Sequence, residues 1–206
     1  MTGFIGKPPP PPIRLGMVGG GQGAFIGGVH RIAARIDGQF QLVAGALSAS
    51  ADKALTSGQE LGLAPDRIYT SFETMAARES EREDGIEAVS IVTPNHMHFS
   101  AAEAFLQRGI HVICDKPVTT TLFEAQRLRD LAQTANRAFI LTHNYTGYPM
   151  VRQARQMVAE GLLGKIRVNE VVANVCFGGP KRNRLFVTCT HELYSVYVTA
   201  TGVQVP

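Results

Sequence analysis

The sequence predicts an α/β chain built on a doubly wound parallel sheet. Three observations carry that expectation. Short apolar runs alternate with amphipathic stretches of helical length from Ile13 to Thr142, and such alternation closes its hydrogen bonds as a parallel sheet with right-handed crossovers and helices on both faces. The runs "VSIVT" and "HVIC" are apolar without alternation, as strands buried on both faces are. A glycine-rich turn, "GGGQGAFIGG", follows directly on the first run.

The elements follow in order. The five prolines Pro8 to Pro12 favour an extended polyproline stretch, so residues 1–12 read as a stiff arm outside the fold. "IRLGMV" from Ile13 is the first strand, and Ile26 to Ile36, with Val29, Ile32 and Ala33 at helical spacing, is the first helix. Gln41 to Ala46 is a strand and Ala51 to Leu61 a helix. "RIYTS" is expected as a short strand, and Ser71 as the N-cap of a helix running through Arg78. "EAVSIVT" is a buried strand and "HFSAAEAFLQR" a helix closed by Gly109. "HVIC" is again a strand, Leu122 to Ala135 a helix with Leu122, Ala125, Leu128, Leu131 and Ala132 on one face, and "AFILT" the last strand.

Ligands of such sheets sit at the carboxyl ends of the strands, and the glycine turn lies at the end of the first one. It reads Gly19-x-Gly21, a widened turn through Gln22, Gly23, Ala24, Phe25 and Ile26, and then Gly27. In a dinucleotide site the first glycine permits a tight turn, the second admits a pyrophosphate to the backbone, and the last packs helix against strand. Free amides at the helix N-terminus then hold the phosphates. No GK[ST] follows, so a triphosphate loop is set aside. An acid about 20 residues on would bind the ribose of NAD. Ser48 stands in that region instead, with Asp52 late and Lys53 beside it. Hydroxyls next to a lysine suit a 2′-phosphate, so NAD and NADP both stay open.

Two further clusters fall on the same edge. "TPNHMH", Thr93 to His98, and "CDKP", Cys114 to Pro117, each follow a strand ended by proline. This places Asn95 and Lys116 at the mouth of the sheet. His96 and His98, two apart and without a nearby third ligand, do not make a metal site; His98 is expected to cap or line the cofactor pocket. Lys116, held before Pro117, can present its ammonium to a substrate oxygen beside a nicotinamide.

The turn "GGGQGAFIGGVH", the segment "VTPNHMHFSAAEAFLQRGIHVICDKP" and "HNYTGYPMVRQARQMVAEGLLGKIR" together resemble the Gfo/Idh/MocA family of NAD(P)-dependent oxidoreductases over residues 13–170. The resemblance implies a dinucleotide-binding Rossmann domain over residues 13–143 and the incomplete start of a second α+β domain over 144–206. It implies that Gly19, Gly21, Gly23, Ala24, Phe25 and Ile26 hold the pyrophosphate, with Ser48 near the ribose. Thr93, Pro94, Asn95, His98, Asp115, Lys116 and Pro117 would line the nicotinamide side, with Lys116 also catalytic. Substrates in the family are sugars, inositols and related polyols, oxidised at a secondary alcohol or reduced at the ketone. Tyr145 is a candidate on the substrate side.

A complete family member carries an open antiparallel sheet that forms the substrate pocket and often a dimer interface, so a homo-oligomer is among the expected partners. This chain reaches its first expected strand, "KIRVNEVVANV", and stops about thirty residues later, short of such a sheet. "TCTHELYSVYVTATG" faintly resembles the family's Asp-x-x-x-His helix. His191 would be the acid or base there, with Val187 in place of the aspartate. The apolar residues of "VVANVCF" and "LYSVYV" are expected as an exposed patch, and "GPKRNR" as a solvated loop. The alternative to the enzyme is a non-catalytic dinucleotide-binding module, or a truncated remnant of one.

Composition excludes other classes. The 206 residues are 45% apolar with a formal net charge of +3, and their Lys and Arg residues are interspersed with acids. Nucleic acid and membrane are therefore not expected as partners. Cys114, Cys176 and Cys189 share no metal or disulfide spacing, and no secretory signal precedes the fold, so a cytoplasmic protein is expected.

Overall fold

The computed structural model describes residues 10–162, 172–181, 183–189 and 191–197. The chain divides into two compact units, Met1–Tyr145 and Thr146–Pro206. Pro10 to Pro12 are exposed and irregular, and the remainder of the proline arm lies outside the described residues.

The first unit is a five-stranded parallel sheet. Its strands are β1 (Ile13–Gly19), β2 (Phe40–Ala46), β3 (Ala88–Val92), β4 (His111–Asp115) and β5 (Phe139–Thr142), in the order β2-β1-β3-β4-β5. The helices are α1 (Phe25–Arg35), α2 (Ala51–Glu60), α3 (Phe72–Ser80), α4 (His98–Leu106) and α5 (Leu122–Thr134). Strand alternation divides the side chains into two cores. Val18, Val89 and Ile91 pack with Met75 of α3, Phe105 of α4 and Leu128 of α5. Met17 and Val92 point the other way, to Leu47 and Leu63, with Ile26 of α1 beside them. Burial on both faces explains why β3 is buried at every position.

Local chemistry sets the helix ends. Ser71 Oγ accepts from Thr74 N at 3.2 Å, the expected N-cap of α3. Thr121 and Glu124 form a reciprocal capping box at α5. Gly109, at φ +73°, ends the turn after α4 as expected. The segment "RIYTS" is corrected: Pro65–Arg67 is a short 3-10 turn, and only Ile68 bridges to the sheet, at Gly45. A buried salt bridge dictates this, because Arg67 turns inward to Glu79 of α3.

Cys114 is fully buried, and burial with the neighbouring Asp115 charge pushes its thiol up to about 12. It stays protonated at pH 8. Iodoacetamide at that pH is expected to alkylate the exposed Cys176 and spare Cys114 until the protein is denatured, as peptide mass spectrometry would read.

The second unit holds α6 (Pro149–Ala159) and an antiparallel meander of β6 (Val172–Gly178), β7 (Arg184–Cys189) and β8 (Leu193–Tyr197). The first part of the expected strand, residues 165–171, lies outside the described residues. Leu193 and Tyr197 are exposed, in line with the expected apolar patch. Arg184 departs from the solvated loop: it starts β7, its guanidinium lies 5.2 Å from the Phe186 ring centroid and 5.3 Å from that of Tyr197, and it donates to Ser195 Oγ. The helix expected around His191 is likewise corrected. β7 pairs with β8 through Val187 and Tyr194, and exposed His191 sits in the connecting bend.

Candidate dinucleotide site

Strand register brings the expected residues onto one edge. Gly19 pairs with Val92, Ile91 with Cys114, and Asp115 with Thr142. The loops after β1, β3 and β4 therefore leave the sheet side by side. Strand order reverses between β1 and β3, the place where such sheets bind ligands.

Bare backbone is required at this crossing. Gly19 and Gly20 have φ of +80° and +75°, a region that disfavours side chains. A Cβ on Gly21 would lie 2.7 Å from Leu47 O and 2.9 Å from Ser57 Oγ, and one on Gly27 would lie 2.4 Å from Gly20 Cα. Gly21 N donates to Leu47 O, Gln22 N to Ser57 Oγ and Ala24 N to Gly21 O. The amides of Gly21 and Ala24 thus shape the loop instead of facing a ligand. Those of Phe25 and Ile26, in the first turn of α1, have no intrahelical acceptor, and no side chain caps that helix. A cleft of about 330 Å³ adjoins the loop, with Arg31, Ser57 and Glu60 on its walls.

Gly20, Arg31 and Ser57 were missed here from the sequence. Gly20 forms the close contact with Gly27, and its carbonyl accepts from Arg31 Nη1 at 2.7 Å. Ser57, 2% exposed, holds the loop from α2; its signal is a hydroxyl on that helix's buried face beside Ala54 and Gly58. Beyond β2, half-buried Ser48 accepts from Ser50 N, Lys53 is exposed, and Asp52 lies in the first turn of α2.

After β3, Thr93 Oγ1 is buried with no hydrogen-bond partner among the described residues. A buried hydroxyl without a protein partner leaves a place for a water or a ligand group. Pro94 leads into a 3-10 turn over Asn95–Met97, with Asn95 and His96 exposed. His98 does not line an open pocket. It is 1% exposed, and its ring nitrogens face two main-chain carbonyls.

After β4, Asp115 accepts from Thr142 Oγ1 at 2.9 Å and does not pair with Lys116. Lys116, before Pro117, is exposed, and no ion pair engages its ammonium among the described residues. On the α1 side of the sheet His30 Nδ1 lies 2.8 Å from Ser90 Oγ. Burial lowers the His30 pKa while the Asp115 charge opposes that shift. Tyr145 lies in a short 3-10 turn after β5 and is 68% exposed.

Free helix-start amides, glycines packed where a Cβ would collide, and an orphaned threonine hydroxyl fit a dinucleotide. Fold and edge define an NAD-binding Rossmann domain. Residues 13–143 match the description of the oxidoreductase family with an NAD-binding Rossmann fold, Gfo/Idh/MocA. The uncharacterized oxidoreductase YfiI of Bacillus subtilis is 42% identical over 158 residues, which are 76% of this chain and 40% of that protein. An oxidoreductase from Sinorhizobium meliloti is 61% identical with a TM-score of 0.69, over 76% of this chain and 44% of that one. An inositol dehydrogenase homolog from Azotobacter vinelandii, solved with NADH and myo-inositol, is 46% identical with a TM-score of 0.73, over 76% of this chain and 41% of that one. The chain belongs to the Gfo/Idh/MocA oxidoreductase family. It spans 40% of YfiI and 41% of the Azotobacter protein.

Among the described residues no group of histidines, cysteines and acids gathers for a metal, and no helix is long and apolar enough to cross a membrane.

Proposed function

We propose that this chain carries the cofactor half of an oxidoreductase that moves a hydride between nicotinamide and a secondary alcohol or ketone of a sugar, inositol or related polyol. The observation that carries the reading is Lys116: an exposed lysine at the sheet edge, one residue past the β4 carboxylate, on a loop that His98 joins to that of Thr93, whose hydroxyl has no partner among the described residues. When bound, NAD or NADP supplies the hydride acceptor or donor. The amides of Phe25 and Ile26 bind its phosphates, and Thr93 Oγ1 donates to it from the nicotinamide side. In the reduction Lys116 as the ammonium gives a proton from Nζ to the carbonyl oxygen, and in the oxidation the neutral amine takes the hydroxyl proton as hydride leaves the carbinol carbon. Asp115, anchored by Thr142, steadies the strand end. Tyr145 is a candidate substrate contact. The Azotobacter relative, solved with NADH and myo-inositol, supports the substrate class.

The test has two stages. NADH and NADPH are titrated into the purified chain by nicotinamide fluorescence, and the preferred nucleotide reports on Ser48 and Lys53. Turnover is then measured on a panel of inositols, aldoses and polyols. Lys116→Ala is expected to keep nucleotide binding and lower turnover by about 10²–10⁴-fold. Saturable binding without turnover on any panel member would favour a binding module, and no binding by the folded chain would end both readings.

A further inference from the structure

His98 opens α4 within the core, yet its ring stands between the two loops of the nicotinamide side. Nδ1 lies 2.6 Å from the carbonyl oxygen of Pro117, and Nε2 lies 2.9 Å from that of Thr93. Carbonyls only accept, so each contact is a bond only when that ring nitrogen carries a proton. The imidazolium satisfies both and either neutral tautomer one. The β3–β4 ladder ends at Ile91 and Cys114. Past that pair the strands no longer hold each other, and the ring spans the gap.

We propose that His98 is a positioning residue that ties the Thr93 loop to the Lys116–Pro117 loop and so sets the spacing of the Thr93 hydroxyl and the Lys116 ammonium. It does not touch the dinucleotide. The role rests on the assignment of Thr93 and Lys116 to the nicotinamide side. Lys116 has an exposed side chain with no ion-pair partner among the described residues, so the clamped main chain at Pro117 is what restrains where its ammonium stands. Thr93 is held the same way, through its own carbonyl.

The whole chain is compared with His98→Leu, which donates to neither carbonyl, and His98→Gln, whose amide NH2 carries two protons. NADH fluorescence titration, amide hydrogen exchange by mass spectrometry and thermal unfolding are measured for each. In His98→Leu, exchange is expected to quicken together in residues 93–97 and 114–121, while residues 19–25 keep their native rate. NADH is expected to bind roughly tenfold more weakly, the equivalent of one or two lost hydrogen bonds. His98→Gln is expected to recover most of both. Equal NADH affinity in all three proteins, or exchange in the two loops that does not move together, overturns the proposal. If the unaltered chain does not bind NADH, the dinucleotide reading fails, while the exchange comparison still decides whether His98 couples the loops. Should His98→Leu fail to fold, His98→Asn, whose shorter amide cannot span both carbonyls, stands in for it: faster exchange in both loops and weaker NADH binding than in His98→Gln support the tie, and equal values in His98→Asn, His98→Gln and the unaltered chain overturn it.

Discussion

Gly27→Ala is expected to weaken NADH binding by about a hundredfold, corresponding to roughly 3 kcal/mol. The added Cβ would stand 2.4 Å from Gly20 Cα and 2.8 Å from Gly20 O. Both obstacles are backbone, so no side chain can rotate away, and α1 must retreat from the end of β1. Gly20 is also the carbonyl to which Arg31 Nη1 donates, so its displacement disturbs the turn from both sides. The amides of Phe25 and Ile26 move with the helix. Gly28→Ala is the control: its Cβ meets only Arg31 Nη2 at 3.9 Å, and alanine suits a helix interior better than glycine by roughly 0.5–1 kcal/mol. Fluorescence titration with urea unfolding alongside separates lost binding from lost fold. Native NADH affinity in Gly27→Ala would show that the close crossing is not needed.

The second large effect is on stability. Glu79→Ala is expected to cost about 3–5 kcal/mol, because it strands a buried guanidinium. Glu79 is 1% exposed and Arg67 6% exposed. The carboxylate accepts from Arg67 through two nitrogens, from Tyr69 OH at 2.8 Å and from Ile86 N at 3.2 Å. Burial and this bond raise the Tyr69 pKa, so its hydroxyl remains a donor. Among the described residues Arg67 then retains Asp84, through its main-chain carbonyl and through a carboxylate on a side chain that is 61% exposed. The network also pins Ile86 just before β3, the strand that leads into Thr93. An Arg67→Met/Glu79→Leu double variant is expected to recover much of the loss, since a buried pair exchanged for apolar groups is often neutral. Urea unfolding reads both; a loss below about 1 kcal/mol in Glu79→Ala would deny the network its role.

Much of the nucleotide unit was legible in the residues. Strands buried on both faces betray themselves as unbroken apolar runs, and β3 and β4 were placed that way. Ser71 and Gly109 announce helix ends because capping and positive φ are local chemistry. Three features were not legible in this way. The "RIYTS" run has strand composition, but its arginine is drawn to a glutamate twelve residues away, and the pair decides its conformation. His98 reads as a pocket residue because it sits in a motif at the sheet edge. Only the placement of the Thr93 and Pro117 carbonyls makes it a bridge. The stretch around His191 follows a helical motif, whereas antiparallel pairing through Val187 and Tyr194 makes it a hairpin.

The sequence by itself determined the alternation, the parallel sheet, the glycine turn and the edge on which Thr93, Asn95 and Lys116 appear, because periodicity and backbone sterics act over a few residues. The tertiary structure alone decided which glycine meets which, that Ser57 and Arg31 hold the turn, that Thr93 Oγ1 is left without a partner among the described residues and that His98 bridges two loops. Each of these depends on atoms brought together by packing from distant parts of the chain, where the energy of a contact is set by distance and exclusion of water and not by the identity of sequence neighbours.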